Sequence, residues 1–131
     1  MLDDWQSWQL DFSARPEIVA PLSGGRVNRS YLIAAGQWRA VLRLNCERSV
    51  KLGIDRNSEA AILRLLAGQP YVAQLYFSCS QYMVSEYIDG RQWQQCDWCN
   101  PHQQERLQQL IADYSQRTES GSQAAIRCYG Y

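Results

Sequence analysis

A chain of 131 residues can bury one substantial core but not two ordinary ones. Its 46% hydrophobic and 20% charged content is that of a soluble globular protein, and its longest apolar runs stay far short of the roughly 20 residues a membrane helix needs. Thirteen cations balance thirteen anions, so bulk charge gives no reason to bind nucleic acid or an anionic membrane, and neither partner is expected. The acidic start, Met1-Leu2-Asp3-Asp4, has neither a basic n-region nor an apolar h-region, which makes the cytoplasm the expected compartment. There the odd set Cys46, Cys79, Cys96, Cys99 and Cys128, without framework spacing, should be thiols. Twelve of the thirteen cations are Arg and only Lys51 is Lys, so a phosphate contact would be made by a forked guanidinium.

In chain order, Trp5, Trp8 and Phe12 stand at helix-compatible spacing, predicting a short N-terminal helix laid on the body as an extension over 1–16. Glu17 to Leu22 is partly β-branched and interrupted by Pro21, and reads as an edge strand entering the glycine turn Ser23-Gly24-Gly25 and a loop from Arg26 through Asn28 to Ser30. Tyr31 to Ala35 and Trp38 to Leu44 are two further strands, and Gly36-Gln37 between them makes a two-residue hairpin turn. Asp55, Asn57 or Ser58 can cap a helix in which Glu59, Ile62, Leu63 and Leu66 share one stripe, and Gly68 and Pro70 end it. Tyr71 to Phe77 and Gln81 to Ile88 read as strands, the second broken by Asp89-Gly90. Asn100-Pro101 starts a last helix carrying Leu107, Leu110, Ile111 and Tyr114 and ending near Arg117, with a frayed tail over 118–131.

Period two on the third strand puts Arg39, Val41 and Arg43 on one face and Ala40, Leu42 and Leu44 on the other. Arg43 is flanked by apolar residues, and a buried guanidinium requires an anionic partner. Glu59, on the core-facing stripe of its helix, is that partner: each charge makes the other's burial tolerable.

A glycine turn, a strand with an inward cation and a helix with an inward Glu form the layout that covers and grips nucleotide phosphates. Leu22-Ser23-Gly24-Gly25-Arg26-Val27-Asn28-Arg29-Ser30-Tyr31, Val41-Leu42-Arg43-Leu44, Leu52-Gly53-Ile54-Asp55-Arg56 with Glu59, and Glu86-Tyr87-Ile88-Asp89-Gly90 resemble the aminoglycoside phosphotransferase and choline kinase superfamily, in its bacterial choline, ethanolamine or thiamine kinase-like group. The resemblance runs from about residue 17 to 93 and implies an α+β fold: a protein-kinase-like small lobe over 17–90, with a five-stranded antiparallel sheet and one packed helix, then a linker and helix of a large lobe over 91–117. It implies that Ser23, Gly24, Gly25 and Asn28 cover the phosphates of ATP, that Arg43 grips them with Glu59 as its orienting partner, and that the Glu86 carbonyl and Ile88 amide hold the adenine edge, with Val84 lining the pocket behind. It also implies Mg²⁺ and a small alcohol as phosphoryl acceptor.

The catalytic loop of that family, His-x-Asp-x-x-x-x-Asn, has no counterpart here. The single His, His102, is followed by Gln103 and Gln104, and the acids after Gly90 (Asp97, Glu105, Asp113 and Glu119) form no such pattern. No catalytic residue or metal ligand is therefore assigned, and the chain is expected to be the nucleotide-binding half of a truncated kinase, inactive alone. Three blander readings stand beside this one: an ordinary hairpin at the glycine turn, a structural ion pair at Arg43 and Glu59, and a noncatalytic module that pairs with a protein or itself through the helix over 101–117. Cys96-Asp97-Trp98-Cys99 has the spacing of a redox pair or, with His102 and Cys128, of a Cys₃His zinc site, but no second Cys-x-x-Cys supports it.

Overall fold

In a computed structural model of the chain, residues 1–10, 12–23, 28–46, 55–91 and 93–128 are described, with side chains through residue 120. Five strands, β1 (Glu17–Leu22), β2 (Arg29–Ala35), β3 (Trp38–Leu44), β4 (Leu75–Ser78) and β5 (Tyr82–Glu86), form one antiparallel sheet in the order β1-β2-β3-β5-β4. The helix α1 (Arg56–Leu65) is inserted between β3 and β4 in sequence, while α2 (Gln95–Trp98) and α3 (Pro101–Cys128) follow the sheet. The fold is thus α+β, as expected.

Register sorts the side chains into two faces. Ile33 pairs with Ala40, and Leu42 with both Tyr31 and Val84, so these residues share one face with Tyr82, opposite Leu44. Ile33, Ala40, Leu42 and Val84 are almost wholly buried there, and Trp8 and Phe12 cover them. Arg43, opposite Ser30 and Met83, lies on the other face, where Met83 and Leu75 pack with Ala60 and Leu63 of α1.

The N-terminal segment does cover the sheet, but not as the helix its aromatic spacing suggests. A 3-10 helix spans Leu2–Ser7 and stops there; Trp8 is extended, at φ −80° and ψ 146°. Leaving the helix lets Trp8 and Phe12 both enter the core, their rings 6.1 Å apart, edge to face. The Trp8 indole N–H donates to the Tyr82 hydroxyl at 3.4 Å, and the Gln9 N–H donates to the Tyr76 carbonyl at 3.1 Å.

The β2–β3 hairpin has the predicted two-residue turn, with Ala35 opposite Trp38 and Gly36 at φ +60°. A Cβ at Gly36 meets nothing within 4 Å, so the cost of a side chain there is backbone strain alone. Gly36→Ala is expected to lower stability by about 1–2 kcal/mol, read from the urea midpoint. A substitution that leaves the midpoint unchanged excludes the left-handed turn.

Asp55 caps α1, accepting from the Asn57 N–H at 2.9 Å and from the Ser58 hydroxyl at 2.5 Å. The strand expected over Tyr71 to Phe77 begins only at Leu75. Its first residues are used otherwise: the Val72 N–H turns back to the Gln69 carbonyl, and the Tyr71 hydroxyl bonds Asp113 of α3. Sequence reading also misses α2, whose Gln94 and Asp97 form a reciprocal cap. Arg91 holds Asp97 at 2.5 and 2.7 Å, and with the Gln94 N–H brings its pKa down to about 2. Asn100 caps α3 as predicted, accepting from the His102 N–H at 3.0 Å. The α3 backbone, however, continues past Arg117 to Cys128, through Thr118-Glu119-Ser120-Gly121-Ser122 and then Gln123-Ala124-Ala125-Ile126-Arg127, with no proline to end it.

Candidate functional site

The centre of the candidate site is Arg43. Because β3 lies third of five strands, with β2 and β5 on its two sides, Arg43 is fixed in the middle of the sheet. The cap at Asp55 sets the start of α1, so Glu59, in its first turn, faces the strand. The two meet as predicted: Nη1 of Arg43 donates to Oε1 of Glu59 at 2.5 Å and Nη2 donates to Oε2 at 2.7 Å, the two-pronged match of guanidinium to carboxylate. Nη2 also lies 3.6 Å from Sδ of Met83. The side chains are 17% and 31% exposed, respectively, so the pair is largely desolvated yet reachable from solvent. The hydrogen bond from Arg43 is the main reason that the Glu59 carboxyl sits below its usual range, with burial opposing it.

A third residue completes the cluster and was missed in the sequence. Arg56, one turn before Glu59, donates from Nη1 to Oε2 of Glu59 at 2.9 Å and from Nη2 to Oδ1 of Asn28 at 2.8 Å. The i, i+3 spacing to Glu59 was a readable signal. The link to Asn28, 28 residues away, was not. Through it the structure joins Asn28, Arg43 and Glu59, three of the eight expected site residues. Ser23 is exposed at the end of β1, and Gly24 and Gly25 lie outside the described residues.

The other two expected residues are at the opposite end of β5. Glu86 pairs with Ala40, three residues along β3 from Arg43, or about 10 Å. Its N–H donates to the Gln74 carbonyl at 2.8 Å and its carboxylate accepts from the Gln74 N–H at 3.0 Å, so Glu86 closes the β5–β4 edge. Ile88 is exposed, and both residues line a hollow of about 350 Å³ with Gly68, Pro70 and Gln74. Arg39 holds this segment to β3, its guanidinium 4.9 Å above the Tyr87 ring and 3.2 Å from the Asp89 carboxylate. Val84 requires a correction. It points into the core with Leu42 and Ile33, away from the face that carries Arg43; pleating gives Met83 and Ser85 the position expected for it.

No family model matches the chain, and no curated protein matches it in sequence.

The donor set suits an oxyanion. The Arg43 Nε is closed off from solvent and has no hydrogen-bond partner among the described residues, an unsatisfied charged donor that an acceptor oxygen would relieve. Among the described residues no three of His, Cys, Asp or Glu are grouped to hold a metal ion, and no step is assigned to Mg²⁺. A second hollow, about 650 Å³, is lined by Glu59, Ile62, Leu63 and Leu66, by residues 71–73 and by Tyr114 of α3. No described helix is long and apolar enough to cross a membrane.

Proposed function

We propose that this chain is the nucleotide-binding half of a small-molecule kinase, a kinase-like small lobe that holds ATP with Arg43 and does not transfer its phosphoryl group unaided. The observation that carries the reading is the two-pronged Arg43–Glu59 bond between the central strand and the helix inserted after it, in a sheet ordered β1-β2-β3-β5-β4. Glu59 takes one N–H from each terminal nitrogen of Arg43, which leaves the guanidinium's other N–H groups, the unpartnered Nε–H among them, as the donors a phosphate oxygen would use. Burial of most of the guanidinium strengthens that contact relative to one made in water. The Glu86 to Ile88 segment, held by Arg39, meets the adenine edge through its backbone. ATP, when bound, supplies the transferable phosphoryl group; the acceptor of the parent activity is a small alcohol such as choline, ethanolamine or thiamine.

Millimolar ATP is expected to raise the melting temperature of the purified chain, since saturation at 100 times Kd contributes about 2.7 kcal/mol to stability. Arg43→Met should remove the rise while the variant remains folded. Adding choline, ethanolamine or thiamine with Mg²⁺ should give no turnover above background. A wild-type chain that melts at the same temperature with and without ATP overturns the nucleotide reading.

The exposed apolar residues of α3 favour a second reading, a noncatalytic interaction module. Leu110, Ile111 and Tyr114 are 36%, 56% and 42% exposed on one helix. Sedimentation velocity separates the self-associating form of this reading from a monomer.

A further inference from the structure

We propose that Arg56 is a positioning residue that makes the site selective for polyphosphate, by locking Asn28 and the Glu59 carboxylate into one frame around Arg43. The proposal rests on the nucleotide reading above and deepens it.

Arg56 has the geometry of a clamp. Its side chain is 14% exposed, and its two terminal nitrogens face different parts of the chain: one reaches Oε2 of Glu59 and the other Oδ1 of Asn28. Oε2 is the same oxygen that accepts from Nη2 of Arg43, so the carboxylate is held from two directions and its plane is fixed. A Glu bonded only to Arg43 could swing with its partner; one held by a second guanidinium cannot turn without breaking a charge-assisted bond. Fixing Glu59 fixes the Arg43 fork, and with it the direction of the unpartnered Nε–H. The other arm ties Asn28, immediately before β2, to the first turn of α1, so the loop end and the helix move together.

The neighbouring acid does not compete for this role. Both Asp55 oxygens are engaged in the α1 cap, one by the Asn57 N–H and one by the Ser58 hydroxyl. Nor can lysine replace Arg56, because a single ammonium at the end of a flexible stem does not present two fixed, divergent donors. The consequence is selective: the clamp lies at the phosphate end of the site, whereas the adenine edge at Glu86 is about three residues of strand away.

The test is calorimetric titration of ATP and of AMP into the wild type, Arg56→Lys and Asn28→Ala, with near-UV circular dichroism showing that each variant is folded. Arg56→Lys is expected to weaken ATP binding about tenfold, the loss of one or two hydrogen bonds to charged groups, while AMP binding stays within about twofold. Asn28→Ala, which cuts the same clamp from its other arm, should reproduce the selective loss. Unchanged ATP affinity in folded Arg56→Lys overturns the proposal, and so does an equal loss for ATP and AMP, the mark of a purely structural role. A wild type that binds neither nucleotide overturns the nucleotide reading itself.

Discussion

Trp8→Ala is expected to destabilise the protein by about 3–5 kcal/mol, the range for truncating a buried aromatic to a methyl group. The ring is 4% exposed and meets residues distant in sequence: Phe12 edge to face at 6.1 Å and Tyr82 at 6.3 Å, with the indole N–H on the Tyr82 hydroxyl. Its removal opens a cavity over Ile33, Leu42 and Val84 and takes a hydrogen-bond donor from a tyrosine that burial already pushes above its usual pKa. Against a typical total of about 5–15 kcal/mol, a loss of that size leaves the variant marginal. Urea denaturation followed by near-UV circular dichroism is the measurement. Trp93→Ala is the control, because Trp93 is 37% exposed and its ring packs edge-on against Trp98. If both variants shift the midpoint equally little, the first sixteen residues are an appendage rather than a layer of the fold.

That layer shows how unevenly the fold was legible. Strands with strict alternation were clear: Trp38 to Leu44 was read with the observed bounds and faces, because one face of β3 is packed by the N-terminal segment and the other holds Arg43 against Glu59. The Arg43–Glu59 bond was legible for the same reason, since a cation and an anion each placed on a buried face have few ways to be satisfied other than by each other. The N-terminal aromatics misled, because spacing of three and four is also produced by a short 3-10 turn followed by extended chain, and only the position of Tyr82 decides between them. Tyr71 to Ala73 misled in the opposite sense. Their β propensity is real, but α3 supplies Asp113 as a partner for Tyr71 and the segment packs beside α1. Val84 was assigned to the site by analogy with a segment order, and one-residue alternation placed it on the other face. The Arg56 bond to Asn28 escaped because it joins residues 28 apart and has no local sequence signature.

Neutralising Glu59 tests the centre of the site most directly. Glu59→Gln keeps the shape of the side chain and removes the charge that Arg43 and Arg56 share. Breaking a fully buried pair from one side costs about 3–5 kcal/mol and an exposed pair under about 1 kcal/mol. With Glu59 31% exposed and Arg43 17%, the expected loss lies between these limits, about 2 kcal/mol. The pH dependence has a defined sign. The Glu59 carboxyl titrates below its reference value of 4.5, mainly because Arg43 donates to it, so the carboxylate contributes its full stabilisation above about pH 4.5 and loses it as pH falls through the lowered folded-state value. The wild type should therefore lose stability on acidification over a range where Glu59→Gln, which has no proton to take up there, has already lost it, and the two curves should converge in acid. The double variant Arg43→Met, Glu59→Gln decides whether the pair acts as a unit. If it does, the double variant is more stable than the sum of the single losses predicts, because removing Arg43 and the anion together leaves no Arg43 guanidinium facing an uncharged amide, while Arg56 faces that amide in the single Glu59→Gln and the double variant alike. Additive losses, or curves for wild type and Glu59→Gln that run parallel down to pH 3, would mean that the bond seen between β3 and α1 contributes nothing to holding them together.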